Sequence, residues 1–236
     1  MTSPDHGYKT IRLRVARSSL EETRKPVQRD PARGLRQAQR VIERELNRLP
    51  RDDRGPVACR AGCDFCCHLR VMATPAEVFA LLDYLESTLD ADALAAFRQR
   101  VQATDQALRE LPADRVLKTN LPCPALVDGC CSGYAGRPLN CRSYHSLSRE
   151  ACEESFNHPE DLERGHPQLT GVAEVHAGGQ AGFLAALEQS GLDQRQYELA
   201  SALCEAIDDP AARQRFRAGE RAFVREPVVE PDKLDP

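Results

Sequence analysis

The chain has 236 residues, 41% of them hydrophobic but only 5% aromatic and none Trp, so its core has to be built from Leu, Ala and Val, which suits packed helices. A formal charge of −4 conceals an asymmetry, because residues 1–54 carry a net +6 and the remainder a net −10. No stretch approaches the roughly 18 apolar residues of a membrane span, and Arg12 and Arg14 break up the first apolar residues, which excludes an ordinary signal peptide. The expected compartment is therefore the cytoplasm, where clustered cysteines more often bind metal or do redox chemistry than form disulfides.

Ile11, Leu13 and Val15 alternate with Arg12 and Arg14, the only clean strand-like alternation in the chain. Residues 1–30 read as a peripheral basic arm. Asp30-Pro31 supplies an N-cap followed by Pro at the first helical position, and Leu35, Ala38, Val41, Ile42, Leu46 and Leu49 recur at helical spacing, predicting a helix over 31–49. Arg33, Arg36, Arg40, Arg44 and Arg48 fall on its other face, either a solvated surface or a docking face for RNA or an acidic protein.

Residues 50–72 hold four cysteines without a long periodic pattern and read as an irregular loop. Thr74-Pro75-Ala76-Glu77 is a capping box opening a helix with its stripe at Val78, Leu81, Leu82, Leu85 and Leu89. A further helix is predicted over 92–110. Between Leu121 and Asn140 the density of Pro, Gly and Cys breaks any regular element and marks a second irregular loop. A short turn near Glu150 follows, then helices over 171–189 and 193–207, another begun by Asp209-Pro210, and a C-terminal tail over 223–236. The expected fold is mainly α: a helical domain over 31–222 whose helices enclose two Cys-rich loops, with the cluster core at 57–155.

Nine of the ten cysteines lie between Cys59 and Cys152. The first loop reads Cys59-Arg-Ala-Gly-Cys63-Asp-Phe-Cys66-Cys67-His68; the second begins Cys123-Pro-Ala-Leu and continues Cys131-Ser-Gly-Tyr134-Ala-Gly-Arg137-Pro138-Leu-Asn-Cys141-Arg142. Spacings of two or three residues let thiolates converge on a soft cation at a sulfur–metal distance of roughly 2.3 Å for zinc. Bound metal would tie down loops too poor in apolar residues to bury themselves. Were Cys66-Cys67 extended, their side chains would point to opposite sides, favouring two metal positions or a multinuclear centre. Cys130 reads as a small packing residue and Cys204 as a hydrophobe on a helix stripe. His68 and His145 border the loops as candidate ligands or as donors to sulfur. Arg137 and Arg142 are placed either to neutralise thiolates or to form surface salt bridges.

These motifs, with the Thr-Pro-Ala-Glu helix start between them, resemble a bacterial cysteine-cluster family described as zinc- or iron-chelating. The resemblance covers about residues 57–155. It implies that Cys59, Cys63, Cys66, Cys67, Cys123, Cys131 and Cys141 chelate zinc or an iron–sulfur centre. The stretch Ser146 to Cys152 resembles a longer branch of the family and adds Cys152 to that set.

Three other chemistries fit parts of the pattern. Radical S-adenosylmethionine enzymes share C-x3-C-x2-C with an aromatic before the third cysteine, here Phe65, but place it after the first strand of a βα barrel. Flagellin lysine methylases resemble the family in carrying a similar cluster; here Gly178, Gly179 and Gly182 fall inside a predicted helix, not in a cofactor loop. Thiol redox chemistry at Cys66-Cys67 would need an exposed thiolate of low pKa.

Overall fold

The computed structural model describes residues 4–229, with side chains from residue 7. Among these the order is α1 (Pro4–Arg29), α2 (Pro31–Arg48), β1 (Met72–Ala73), α3 (Pro75–Thr88), α4 (Ala91–Glu110), β2 (Leu126–Val127), β3 (Cys130–Cys131), α5 (Leu139–Ser143), α6 (Arg149–Asn157), α7 (Thr170–Gln189), β4 (Tyr197–Glu198), α8 (Leu199–Asp208) and α9 (Ala211–Arg217). The fold is mainly helical, and its strands are two-residue pairs: β1 runs antiparallel to β4, and β2 to β3. No βα barrel exists among the described residues, so the radical-enzyme architecture is absent there.

The largest departure from expectation is α1. Its Ile11–Val15 alternation does not make a strand, because a stronger pattern of period four runs through it: Val15, Ser19, Thr23 and Val27 are all buried. That spacing puts four small side chains on one helix face, and the face lies along α7. The α7 glycines allow the approach. A Cβ on Gly182 would stand 2.3 Å from the Ala16 carbonyl oxygen, and one on Gly178 would stand 2.5 Å from that of Arg12. Ser19 Oγ donates to the Gly179 carbonyl at 2.8 Å, which satisfies a buried hydroxyl inside the seam. Gly179 also faces Ile42, so α1, α2 and α7 pack as one layer. The segment expected as a peripheral basic arm is thus a core helix. Charged residues at its margins pair inward, Arg12 with Glu174 and Arg14 with the buried Glu45.

The α2 helix follows its sequence closely. Asp30 caps it by accepting from Ala32 N–H, and Leu35, Ala38, Val41 and Ile42 are buried. Its arginine face is largely engaged within the chain: Arg44 with Glu22 at 2.6 Å, Arg48 with Glu45 at 2.7 Å, Arg36 with Asp30 at 3.6 Å. The predicted helix over 193–207 is shorter than expected. Residues 193–196 are irregular, with Asp193 bonded to Arg195 N–H and the Tyr197 hydroxyl, Tyr197-Glu198 pair with β1, and α8 begins only at Leu199. The tail from 223 also differs: Phe223 stacks against Phe79 and Tyr197, and Val229 is buried with Leu108 and Val116. Residues 230–236 of that predicted tail lie outside the described residues.

Candidate functional site

Glu77 links the helical body to the second loop. One carboxylate oxygen accepts from Thr74 N–H at 2.8 Å and Thr74 Oγ–H at 2.7 Å; the other accepts from Leu139 N–H at 2.8 Å. A single buried carboxylate therefore caps α3 and fixes the start of α5, two residues before Cys141. Its complete burial raises the carboxyl above the usual range, against the pull of these hydrogen bonds.

The two loops are stitched together by backbone. Cys67 carbonyl accepts from Cys123 N–H at 2.7 Å and His68 carbonyl from Leu121 N–H at 3.3 Å. Arg70 clamps the same seam, donating to the carbonyls of His68 and Leu121 and facing Glu198 at 3.7 Å. Phe156 of α6 stacks on Phe65 and His68 with centroids 5.5 and 5.1 Å away, bringing the Cys152 helix onto the first loop.

Cys66 and Cys67 sit in a 3-10 turn, Phe65–His68, closed by Cys67 N–H to the Asp64 carbonyl at 2.8 Å. The extended geometry is absent, so the argument for opposite-facing sulfurs does not apply: side chains one residue apart in such a turn diverge by about 120°. β2 and β3 form a hairpin about Asp128 and Gly129, both at positive φ (50° and 72°), a two-residue turn of the type hairpins favour. Its pleat leaves Cys130 exposed and Cys131 half-buried. Cys130 therefore does not serve as the packing residue expected of it. Cys204, on α8, is buried in the core as its stripe position predicted.

Several of the predicted ligand cysteines, Cys59, Cys63, Cys66, Cys67, Cys123, Cys131, Cys141 and Cys152, influence one another's ionisation. Cys63 feels Cys59, Cys66 and Cys152, and Cys141 feels Cys123, Cys131 and Cys66. Burial pushes the Cys123 thiol up to about 11 and raises Cys63, Cys131 and Cys141. Cys66 is raised first by its hydrogen bond with Cys67 and then by burial. A common local device opposes this, because Cys63, Cys123 and Cys131 each receive a backbone hydrogen bond from the residue two positions on, Phe65, Ala125 and Gly133. Such N–H groups favour the thiolate. Among the described residues, no three His, Cys, Asp or Glu side chains are drawn together closely enough to hold a metal ion.

The two histidines differ in their freedom to ligate, since His145 has both ring nitrogens engaged and His68 only Nδ1. His145 is engaged at both nitrogens, with the Ser143 carbonyl at 2.8 Å and Leu169 N–H at 3.0 Å, while His68 Nδ1 lies 3.1 Å from the Asp64 carbonyl. Arg137 stands apart from the salt-bridged arginines. Its guanidinium lies 3.9 Å over the Tyr134 ring, its Nε is buried without a partner, and its charge bears on Cys66, Cys131 and Cys141. Among the described residues no carboxylate lies within salt-bridge distance of it or of Arg142, whose guanidinium donates to the carbonyls of Arg137 and Ala135. Sequence reasoning missed Arg70, the second role of Glu77, and His176, whose Nδ1 is enclosed without a partner. Glu77 alone carried a signal, as a capping residue, and nothing in a linear motif shows that the same carboxylate reaches residue 139.

Comparison with known protein families, with curated proteins and with solved structures finds no match.

Proposed function

We propose that the chain is a metal-binding protein of the cysteine-cluster type, holding zinc or an iron–sulfur centre through thiolates of Cys59, Cys63, Cys66, Cys67, Cys123, Cys131, Cys141 and Cys152. The observation that supports this reading is the joining of the two Cys-rich loops, with Cys123 N–H donating to the Cys67 carbonyl at 2.7 Å and Phe156 of the Cys152 helix packing on Phe65 and His68. The donor set suits zinc and iron alike, since both accept thiolates and neither needs the engaged imidazole of His145. Arg137 supports the reading through charge. An all-thiolate centre is anionic, and the positive charge of Arg137, which favours the thiolates of Cys66, Cys131 and Cys141, would lower the cost of that charge. Thiol redox catalysis is less well supported, because the vicinal pair has a raised Cys66 where a reactive site needs a depressed one. No helix is long and apolar enough to cross a membrane among the described residues, and a reducing compartment such as the cytoplasm belongs to the proposal because the thiols must stay reduced.

The test is elemental analysis and absorption spectroscopy on protein purified without oxygen. Stoichiometric zinc without colour, or iron with a band near about 400 nm from thiolate- and sulfide-to-iron charge transfer, supports the proposal. Cys63→Ser and Cys141→Ser are each expected to lower metal content, and Cys204→Ser to leave it unchanged. Protein without metal after anaerobic purification and reconstitution with zinc or with iron and sulfide would reject it.

A further inference from the structure

Away from the cysteines, a cavity of about 550 Å³ opens between α8 and the segment from Arg221 to Val229. That size suits a small organic ligand. It is lined by Glu198, the N-cap of α8, and by Ser201, Ala202 and Glu205 on one face of that helix.

The balance of donors and acceptors around it is uneven. The two buried carboxylates on the floor are already engaged. Glu205 accepts from Val224 N–H at 2.7 Å and from Arg225 N–H, and Glu198 accepts from Ser201 N–H at 2.8 Å while facing Arg70. Glu226 is the other acid, exposed at the rim where solvent screens it. Three of the four lining arginines pair with carboxylates outside the cavity: Arg109 with Asp105, Arg195 with Asp193, Arg225 with Asp208.

What remains is a set of donors. Arg221 lines the cavity with Tyr197, is exposed as Glu226 is, and, among the described residues, has no carboxylate within salt-bridge distance. Ser201 Oγ is enclosed with no partner. Gln196 is oriented by chemistry: Asn140 Nδ2 donates to the Met72 carbonyl at 2.6 Å and must be nitrogen, so the Gln196 atom 3.2 Å from it is the oxygen. Gln180 Nε2 donates to that same oxygen at 3.3 Å. The Gln196 amide nitrogen is then left without an acceptor among the described residues. A guanidinium, an amide N–H2 and a hydroxyl lining one cavity, none of them paired with a carboxylate, match a ligand rich in acceptors and negative in charge.

We infer that this cavity is a binding site for a small oxyanion, a carboxylate or phosphate compound, held by Arg221, Gln196 and Ser201. The site does not depend on what the cysteines bind. Isothermal titration of the full chain at low ionic strength with inorganic phosphate and, separately, with succinate tests it and distinguishes the two sources of the oxyanion. Saturable one-to-one binding of either is expected. Arg221→Ala should weaken it about tenfold, the scale of one charge-assisted hydrogen bond, Gln196→Leu should weaken it less, and Cys63→Ser should bind like the parent. Absence of saturable binding by both anions, or equal affinity in the parent, Arg221→Ala and Gln196→Leu chains, would overturn the inference.

Discussion

His176 sits on α7 with Nδ1 enclosed and unpartnered, and the charged groups facing it are His145, Arg137 and Arg142. Burial first, and these neighbours second, lower its pKa to about 4 from an ordinary 6.5. The folded chain keeps the imidazole neutral where the unfolded chain protonates it, so unfolded molecules bind more protons between pH 6.5 and 4. Stability from this residue is complete above about 6.5, falls as pH drops through that window and levels off below 4. The full loss is about 3 kcal/mol, from 1.36 kcal/mol per pKa unit. His176→Asn removes the titration, so the stability difference between parent and variant should change across pH 6.5 to 4 in urea melts. A difference constant with pH would show that the ring is not held neutral. Arg137 and Arg142 meet the same scarcity of nearby carboxylates: burial, then Arg137, lowers the Arg142 guanidinium pKa, as expected where positive charge is poorly compensated.

At the scale of elements, signals that act within a few residues were legible. Asp30 and Thr74 mark real helix starts, Pro31 and Pro75 occupy first-turn positions, and the density of Pro and Gly between Leu121 and Asn140 corresponds to loop and hairpin. The α1 helix was not legible because its buried face is made of Ser19 and Thr23 as well as Val15 and Val27, and a hydroxyl counts as polar until its partner is known. The glycines of α7 were seen to lie in a helix, yet only the fold shows what they face. The irregularity of the two Cys-rich loops was legible, but the bend at Cys66-Cys67 was not, since a local hydrogen bond to Asp64 decides it. The α1–α7 seam yields a test with opposite signs at two glycines. Replacing a helical Gly by Ala gains about 1 kcal/mol from propensity. At Gly7, where a Cβ meets nothing within 4 Å, that gain should appear as a higher melting temperature. At Gly182 the added carbon falls 2.3 Å from a backbone oxygen that cannot move alone. Overpacking of this kind costs about 1–3 kcal/mol or more, so Gly182→Ala should melt lower. A rise in both variants would mean that α1 does not pack there.

For the whole molecule, the sequence predicts a helical core of Leu, Ala and Val, with bound metal tying down the two Cys-rich loops. The helical core is extensive. Leu81, Leu85, Phe97, Phe183, Leu187 and Leu203 are fully enclosed in one continuous cluster that reaches α1, α2, α3, α4, α7 and α8. Burying each such side chain contributes about 1.5–3 kcal/mol, and none of it requires a metal. Cys123 and Cys131 pack against this cluster as small hydrophobes, so even the thiols have apolar contacts when protonated. Strong chelation should therefore leave the helical far-ultraviolet dichroism nearly intact at 25 °C. The effect should concentrate in the loops, where backbone bonds such as Cys67 to Cys123 hold short irregular segments. Limited proteolysis is expected to cut within 55–70 and 119–137 in chelated protein and to be slowed there by metal, because loop opening is the local event that ligation suppresses. Complete loss of helical signal on chelation would show that the thiol site organises the whole fold. An unchanged cleavage pattern would show that metal does not hold the loops.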